Sequence, residues 1–243
     1  MVALELGEEI AQVELHSWCL RDGLPIPDLM LSDGEKHRAA AFRSSEARRL
    51  FVAGRVLCRS IVGAIAGCTP RGLSVAITPA GRPYLPDYPD IDFNLSHTRN
   101  TVALAVCRGS YVGIDIERLD AFSEAEAREI MPLILSAREF KDVKDLAPQQ
   151  RQKTFLSYWV RKEAALKCLG EGFLTDPQRV ILGPSNTIID IVNRPSEEPI
   201  FVRSGQFCVG ETIAFQWAIV TSKTVTEPIW RHHADITSFM RLL

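Results

Sequence analysis

The 243-residue sequence predicts an α+β fold in two similar α/β halves, residues 1–118 and 119–243. Helical periodicity gives way to alternating, β-type runs once in each half, so the second half repeats the first in kind. No Pro/Ser-rich linker separates the halves, which are therefore expected to pack tightly. With 46% hydrophobic and 24% charged residues, the chain can bury a full core, and the composition excludes a disordered protein.

Residues Ala11–Leu20, with Val13, Leu15 and Trp18, read as an early strand. Arg21-Asp-Gly-Leu-Pro-Ile-Pro-Asp follows as a loop whose turns are set by Gly and Pro. Ser32 with Glu35 three residues later fits a capping box that opens a helix. Basic residues then gather at His37, Arg38, Arg43, Arg48, Arg49, Arg55 and Arg59. Ser45–Ile65 is predicted to be a strong helix, because Val52, Val56, Leu57, Ile61, Ala64 and Ile65 form one apolar stripe. Arg48, Arg55 and Arg59 line one edge of it. Such a row is commonly a solvated face, but a guanidinium also matches phosphate oxygens two at a time.

Leu73–Thr78 alternates like a strand, and Pro79–Leu85 is a turn that holds Arg82 between Gly81 and Pro83. A loop at residues 88–92 leads into Phe93-Asn-Leu-Ser-His-Thr98. No Gly-x-Ser-x-Gly elbow accompanies Ser96 and His97, which leaves a serine hydrolase unsupported. Thr101–Cys107 and Tyr111–Glu117 are β-rich runs joined by Arg108-Gly-Ser110, a connection that suits a hairpin. In the second run Ile114 and Ile116 face one way, Asp115 and Glu117 the other. Two neighbouring carboxylates on one strand face repel each other unless a cation lies between them.

In the second half, Ser123 with Glu126 and Ser136 with Glu139 form two further capping boxes. Pro148 suits a first helical turn. Gln149–Leu169 contains no Gly or Pro, and Gly170 closes the helix. Trp159, Glu163, Leu166 and Lys167 fall at i, i+4, i+7 and i+8, on one face of that helix. An i, i+4 Glu–Lys pair is ordinarily a surface pair worth about 0.2–0.5 kcal/mol; here its face is otherwise apolar. Strands are expected at Arg179–Leu182, Thr187–Val192, Ile200–Arg203, Phe207–Val209 and Thr212–Val220. His232 and His233 read as a surface pair.

A net charge of −2 gives no global basic field toward nucleic acid or a membrane. No stretch approaches the roughly 18 apolar residues of a membrane span, and MVALELGEEI lacks the regions of a signal peptide, so the cytoplasm is the expected location. The 6 cysteines are scattered without a CxxC spacing, which indicates neither zinc nor a disulfide framework. Asp115, Glu117 and Glu163 together supply three hard oxygen ligands of the kind that suit Mg²⁺ or Mn²⁺. Lysines and arginines beside them point to displacement at phosphorus, where positioning and charge neutralisation carry the chemistry. No Walker A loop or kinase signature is present, so the donor is not a P-loop nucleotide.

Four motifs carry a resemblance: Gly-Arg-Pro at 81–83, Phe-Asn-Leu-Ser-His-Thr at 93–98, Val-Gly-Ile-Asp-Ile-Glu at 112–117 and Trp-Val-Arg-Lys-Glu-Ala-Ala-Leu-Lys at 159–167. In order and spacing the sequence resembles the Sfp-type 4′-phosphopantetheinyl transferases. The resemblance implies a monomer with halves related by a pseudo-twofold axis and coenzyme A bound between them as co-substrate. It also implies transfer of phosphopantetheine to a serine of an apo carrier protein, acyl or peptidyl, in fatty-acid or secondary-metabolite synthesis. Asp115, Glu117 and Glu163 would hold Mg²⁺, or Mn²⁺, against the pyrophosphate. Lys167 and His97 would contact phosphates with Ser96 beside them, and Lys162 would bond phosphate or orient its helix. Arg82 replaces a frequently found Lys, keeping its charge with altered geometry, among the residues that would bind coenzyme A. Arg48, Arg49 and Arg55 would lie near the nucleotide end. The group that takes the serine proton is left open between Glu163 and a water it touches. Rival readings are a non-catalytic coenzyme A or carrier-binding protein of the same fold, and another Mg²⁺-dependent phosphotransferase or phosphoesterase.

Overall fold

A computed structural model describes residues 11–21, 23–170, 175–183, 189–191, 200–209 and 213–240. The first half runs β1 (Val13–Cys19), α1 (Asp33–Ala40), α2 (Ser45–Ala66), a small hairpin of β2 (Ala76–Ile77) and β3 (Pro83–Tyr84), then β4 (Ile91–Thr98) and β5 (Thr101–Arg108). The second runs β6 (Val112–Arg118), α3 (Glu124–Ile134), α4 (Ala137–Lys144), α5 (Pro148–Leu169), β7 (Val180–Leu182), β8 (Ile189–Ile191), β9 (Phe201–Val209) and β10 (Ile213–Thr221). β11 (Ile229–His233) and α6 (Thr237–Met240) follow.

All three capping boxes form, at Ser32, Ser123 and Ser136. The two long helices, α2 and α5, have 22 residues each. Each ends on a glycine in the left-handed region, Gly67 at φ 71° and Gly170 at φ 72°, where a side chain would be strained. Residues 187, 188 and 192 of the expected Thr187–Val192 strand and residue 212 of the expected Thr212–Val220 strand lie outside the described residues.

The sheets repeat one topology. Strand order is β1-β5-β4, extended by β11, in the first sheet and β6-β10-β9 in the second. In each, the strand before the helices pairs with the last strand and the middle strand takes the far edge. This supports halves related by a pseudo-twofold axis. α2 covers one face of the first sheet over Val56, Leu57, Ile61, Leu104 and Val106. α5 covers one face of the second over Val160, Ala164, Ala218 and Val220. The remaining faces meet each other, Val13, Leu15, Ala103 and Ala105 against Ile114, Ile116, Trp217 and Ile219. The small residues on β5 let the two sheets close, and each large side chain buried there stabilises by about 1.5–3 kcal/mol.

The expected hairpin between 101–107 and 111–117 does not form. β5 pairs with β1 and β4, whereas β6 pairs with β10. By strand pairing the chain changes sheet at residues 109–111, and β11 returns to pair in parallel with β1. The Gly-containing connection permits either course. The burial of Ile114 and Ile116 between the two sheets decides it. The strand expected at Leu73–Thr78 shortens to Ala76–Ile77, and β9 is one strand where two were expected.

β4 and β6 are neighbours across the seam between the halves, joined by side chains instead of a backbone ladder. Asp92 Oδ2, Asn94 Oδ1 and Ser96 Oγ accept the N–H groups of Val112, Ile114 and Ile116 at 2.7, 3.2 and 3.2 Å. The partners rise together along both strands, so the two run parallel. Arg82 donates to Val112 O at 2.9 Å and Lys167 Nζ to Ile114 O at 3.1 Å. A strand edge that would otherwise leave orphaned backbone groups is thereby satisfied.

Candidate functional site

The seam sets the site. Gly113 lies where α5 crosses β6: a Cβ there would stand 2.1 Å from Ala164 O and 2.4 Å from Cys168 N, so only glycine permits the approach. Asp115 and Glu117 continue the same strand face, toward the helix that carries Glu163 and Lys167.

Ser96, Asp115 and Lys167 are in direct contact. Ser96 Oγ donates to Asp115 Oδ1 at 2.8 Å, and Lys167 Nζ donates to the same oxygen at 2.6 Å and to Ser96 Oγ at 3.2 Å. Asp115 Oδ2 is buried and without a hydrogen-bond partner. Thr98 Oγ1 donates to Glu117 Oε2 at 2.5 Å. Burial foremost, and then the Asp115 charge and that of Glu163, push the Glu117 carboxyl up to about 7 against the pull of Thr98 and Lys167. Glu163 is likewise raised by burial and by Asp115, with Lys167 opposing. The site therefore concentrates negative charge in low dielectric with one ammonium to offset it.

On the other side of Ser96 opens a cavity of about 520 Å³ lined by Arg38, Phe51, Arg55, Pro83, Asn94 and His97, among others. Arg38 and Arg55 both hold their guanidinium groups over the Phe51 ring, 5.5 and 5.3 Å from its centroid. Arg55 Nη1 is buried without a hydrogen-bond partner, and Arg55 Nε lies 3.9 Å from Glu35 Oε1. Loss of hydration and the nearby Lys167 hold the His97 imidazole below its ordinary range, so it is neutral near pH 7. The cavity thus offers cationic and neutral donors beside an aromatic ring.

The remaining sequence-predicted residues lie elsewhere. Arg48 is exposed and outside this cavity. Arg49 donates to Arg21 O. Arg59, in the same row, is buried on Glu35 at 2.6 Å and on the carbonyls of Pro70 and Leu73. Lys162 is 1% exposed and bonds Glu139 at 2.7 Å, Pro177 O at 2.9 Å and Val180 O at 2.6 Å. Its ammonium therefore sits in the core of the second half, where it fixes α5, and does not reach the site. Arg82 is committed to the seam. Arg38 belongs to the basic cluster and Asn94 and Thr98 to the 93–98 motif, where the alternation of Asp92, Asn94, Ser96 and Thr98 marks one polar strand face.

The three carboxylates influence one another, yet among the described residues no group of three or more His, Cys, Asp or Glu side chains forms a ready metal cluster. Lys167 and Thr98 occupy ligand oxygens of Asp115 and Glu117. The unpaired Asp115 Oδ2 and the raised Glu117 and Glu163 nonetheless fit a divalent cation, which would relieve all three.

Comparison with known proteins agrees with this layout. The sequence profile described as 4'-phosphopantetheinyl transferase superfamily matches residues 111–223, and the one described as 4'-phosphopantetheinyl transferase, N-terminal, matches 28–109. The 4'-phosphopantetheinyl transferase HetI of Nostoc is 32% identical over 198 residues, which cover 74% of this chain and 83% of that protein. The chain belongs to the 4'-phosphopantetheinyl transferase superfamily. As such it is an enzyme, a transferase. A 4'-phosphopantetheinyl transferase of Bacillus subtilis is 31% identical over 60% of this chain and 68% of its own length. The 4'-phosphopantetheinyl transferase Sfp of Bacillus subtilis strain 168 is 27% identical over 58% of this chain and 61% of its own. The two profiles meet at residues 109–111, where this transferase changes sheet. Among its described residues no helix is long and apolar enough to cross a membrane.

Proposed function

We propose that the chain transfers the 4′-phosphopantetheine group of coenzyme A to a serine hydroxyl of an apo acyl or peptidyl carrier protein, releasing 3′,5′-ADP. The observation that carries this reading is the placement of Ser96 and Lys167 between a basic, aromatic cavity and a cluster of three carboxylates. The cavity suits the phosphorylated nucleotide end of coenzyme A: Arg38 and Arg55 present charge, Phe51 a stacking face, and His97 a neutral donor. Lys167 would move its ammonium from Asp115 to the pyrophosphate. Asp115, Glu117 and Glu163 would hold Mg²⁺, or Mn²⁺. Bound there, the cation supplies neutralisation of charge on the pyrophosphate and leaving group.

In the transfer the serine oxygen forms a bond to the phosphorus that bears pantetheine, and the bond from that phosphorus to the bridging oxygen breaks. The bridging oxygen departs on 3′,5′-ADP with its electron pair. Glu163, whose proton affinity is raised by burial and by Asp115, takes the serine proton. Lys167 and His97 hold the phosphates in line. One chain brings both halves to the site, which supports a monomer. Liquid chromatography of a reaction containing coenzyme A, Mg²⁺ and apo carrier proteins of the fatty-acid, polyketide and peptide-synthetase classes tests the reading. Release of 3′,5′-ADP that requires one of the carriers is expected; coenzyme A left intact with every class removes it.

A further inference from the structure

Arg82 is expected among the residues that bind coenzyme A, and its geometry serves a different task. The turn Thr78–Arg82 fixes its backbone: Thr78 N–H donates to Arg82 O at 2.8 Å, and Arg82 N–H to Thr78 Oγ1 at 3.0 Å. Arg82 Nη2 donates to Asp92 Oδ2 at 2.5 Å and to Val112 O at 2.9 Å, while Nη1 donates to Lys167 O. The same Asp92 oxygen accepts Val112 N–H at 2.7 Å. The two side chains are only 11% and 14% exposed. Lys167 O belongs to the last turn of α5, where it also accepts Gly170 N–H at 3.2 Å and the helix dipole favours a cation. One guanidinium therefore ties β4, the start of β6 and the end of α5 together. Lys167 is held at both ends, its carbonyl on Arg82 and its ammonium on Asp115 and Ser96.

We propose that the Arg82–Asp92 pair is a positioning clamp that sets the place of Lys167 at the site, and not a phosphate-binding group. The clamp explains why arginine is suited to this position. Its two terminal nitrogens diverge toward acceptors on three separate elements, whereas an ammonium is a single point. The proposal rests on the function proposed above for the role of Lys167.

The test compares Arg82→Lys, Arg82→Met and Asp92→Asn with the natural enzyme by steady-state transfer kinetics and by calorimetric titration with coenzyme A. Amide hydrogen exchange at Val112 is read in parallel. A misplaced Lys167 is expected to lower kcat by about 10–100-fold in all three variants. Coenzyme A affinity stays within about threefold, lysine does not rescue, and Val112 exchange accelerates. A tenfold or greater loss of coenzyme A affinity in Arg82→Met, restored by Arg82→Lys, overturns the clamp in favour of a phosphate contact. Lowered thermal stability with unchanged kcat overturns it in favour of a merely structural pair. Should the Arg82 variants fail to fold, Asp92→Asn and exchange in the natural enzyme decide, since an unprotected Val112 amide there contradicts the clamp. Absence of transfer by the natural enzyme instead removes the proposed function, and leaves Val112 exchange to judge the contact itself.

Discussion

Ser96 uses its full hydrogen-bonding capacity at the centre of the site: it donates to Asp115 and accepts from Lys167 and from Ile116 N–H. A group so fully engaged orients others, and the proton-accepting role is proposed for Glu163. Glu163→Gln is expected to reduce transfer at least about a hundredfold. Its thermal midpoint at pH 7 should be equal or higher, because burial and Asp115 already disfavour the charge. Measured turnover and melting of the purified variant check both halves of that statement. Lys162 provides the contrast. Lys162→Met strands the buried Glu139 carboxylate and should cost about 3–5 kcal/mol in urea unfolding. Calorimetry should show its coenzyme A affinity unchanged. Asp115, Glu117, Glu163 and Lys167 were legible in the sequence because strand and helix periodicity alone put each pair on one face. For Lys162 the choice between bonding phosphate and orienting its helix was not legible, nor was the role of Arg82, because the acceptors that fix them lie 10 to 85 residues away in the chain.

Among the elements, β6 and α5 carry the most consequence, and Gly113 governs their contact. Gly113→Ala places a methyl against backbone atoms of Ala164 and Cys168, where no rotamer change gives relief. A loss of about 1–3 kcal/mol is expected, accompanied by loss of transfer as Glu163 and Lys167 move away from β6. Denaturant midpoints and turnover of the variant measure each effect. Helix boundaries were readable from Ser–Glu capping boxes and terminal glycines, since those signals are local. Strand partners were not. The run Val112–Arg118 has the alternation and turn of a hairpin strand, but its Ile114 and Ile116 are buried against the other sheet. Its outer edge is completed by side chains of β4, which no backbone pattern reveals.

At the scale of the whole molecule, β11 returns the chain to β1 and buries His233, one of the two histidines read as a surface pair, while His232 is exposed. His16 Nδ1 and His233 Nε2 are 3.1 Å apart, with ring planes parallel within 1° and centroids 5.4 Å apart. The centroid distance exceeds the nitrogen separation by about one ring radius at each end, so the rings meet edge to edge through an N–H···N bond. Burial, with His233 and Arg231 adding to it, lowers the His16 pKa from 6.5 to about 3. The imidazole is neutral near pH 7, and its 3.5 Å approach to Glu14 is then not an ion pair. Between these two values the unfolded chain binds a proton that the folded chain does not. Stability from this group is therefore full above about 6.5 and declines as pH falls toward 3. Urea midpoints at pH 7 and 5 should differ by the equivalent of about 1–2 kcal/mol, and His16→Gln should remove much of that difference. A wholly unchanged difference would place the acid sensitivity elsewhere. The two-half architecture itself was legible, because composition and the repeated order of elements report it. The parallel docking of β11 depends on residues 217 positions apart and left no local mark.

Intact-mass spectrometry of an apo carrier protein incubated with this enzyme, coenzyme A and Mg²⁺ tests the central claim most directly. A gain of one phosphopantetheine on the carrier, abolished by EDTA and by Glu163→Gln, is the predicted result. An unchanged carrier mass across the fatty-acid, polyketide and peptide-synthetase classes, with coenzyme A binding demonstrated in the same preparation, would contradict it.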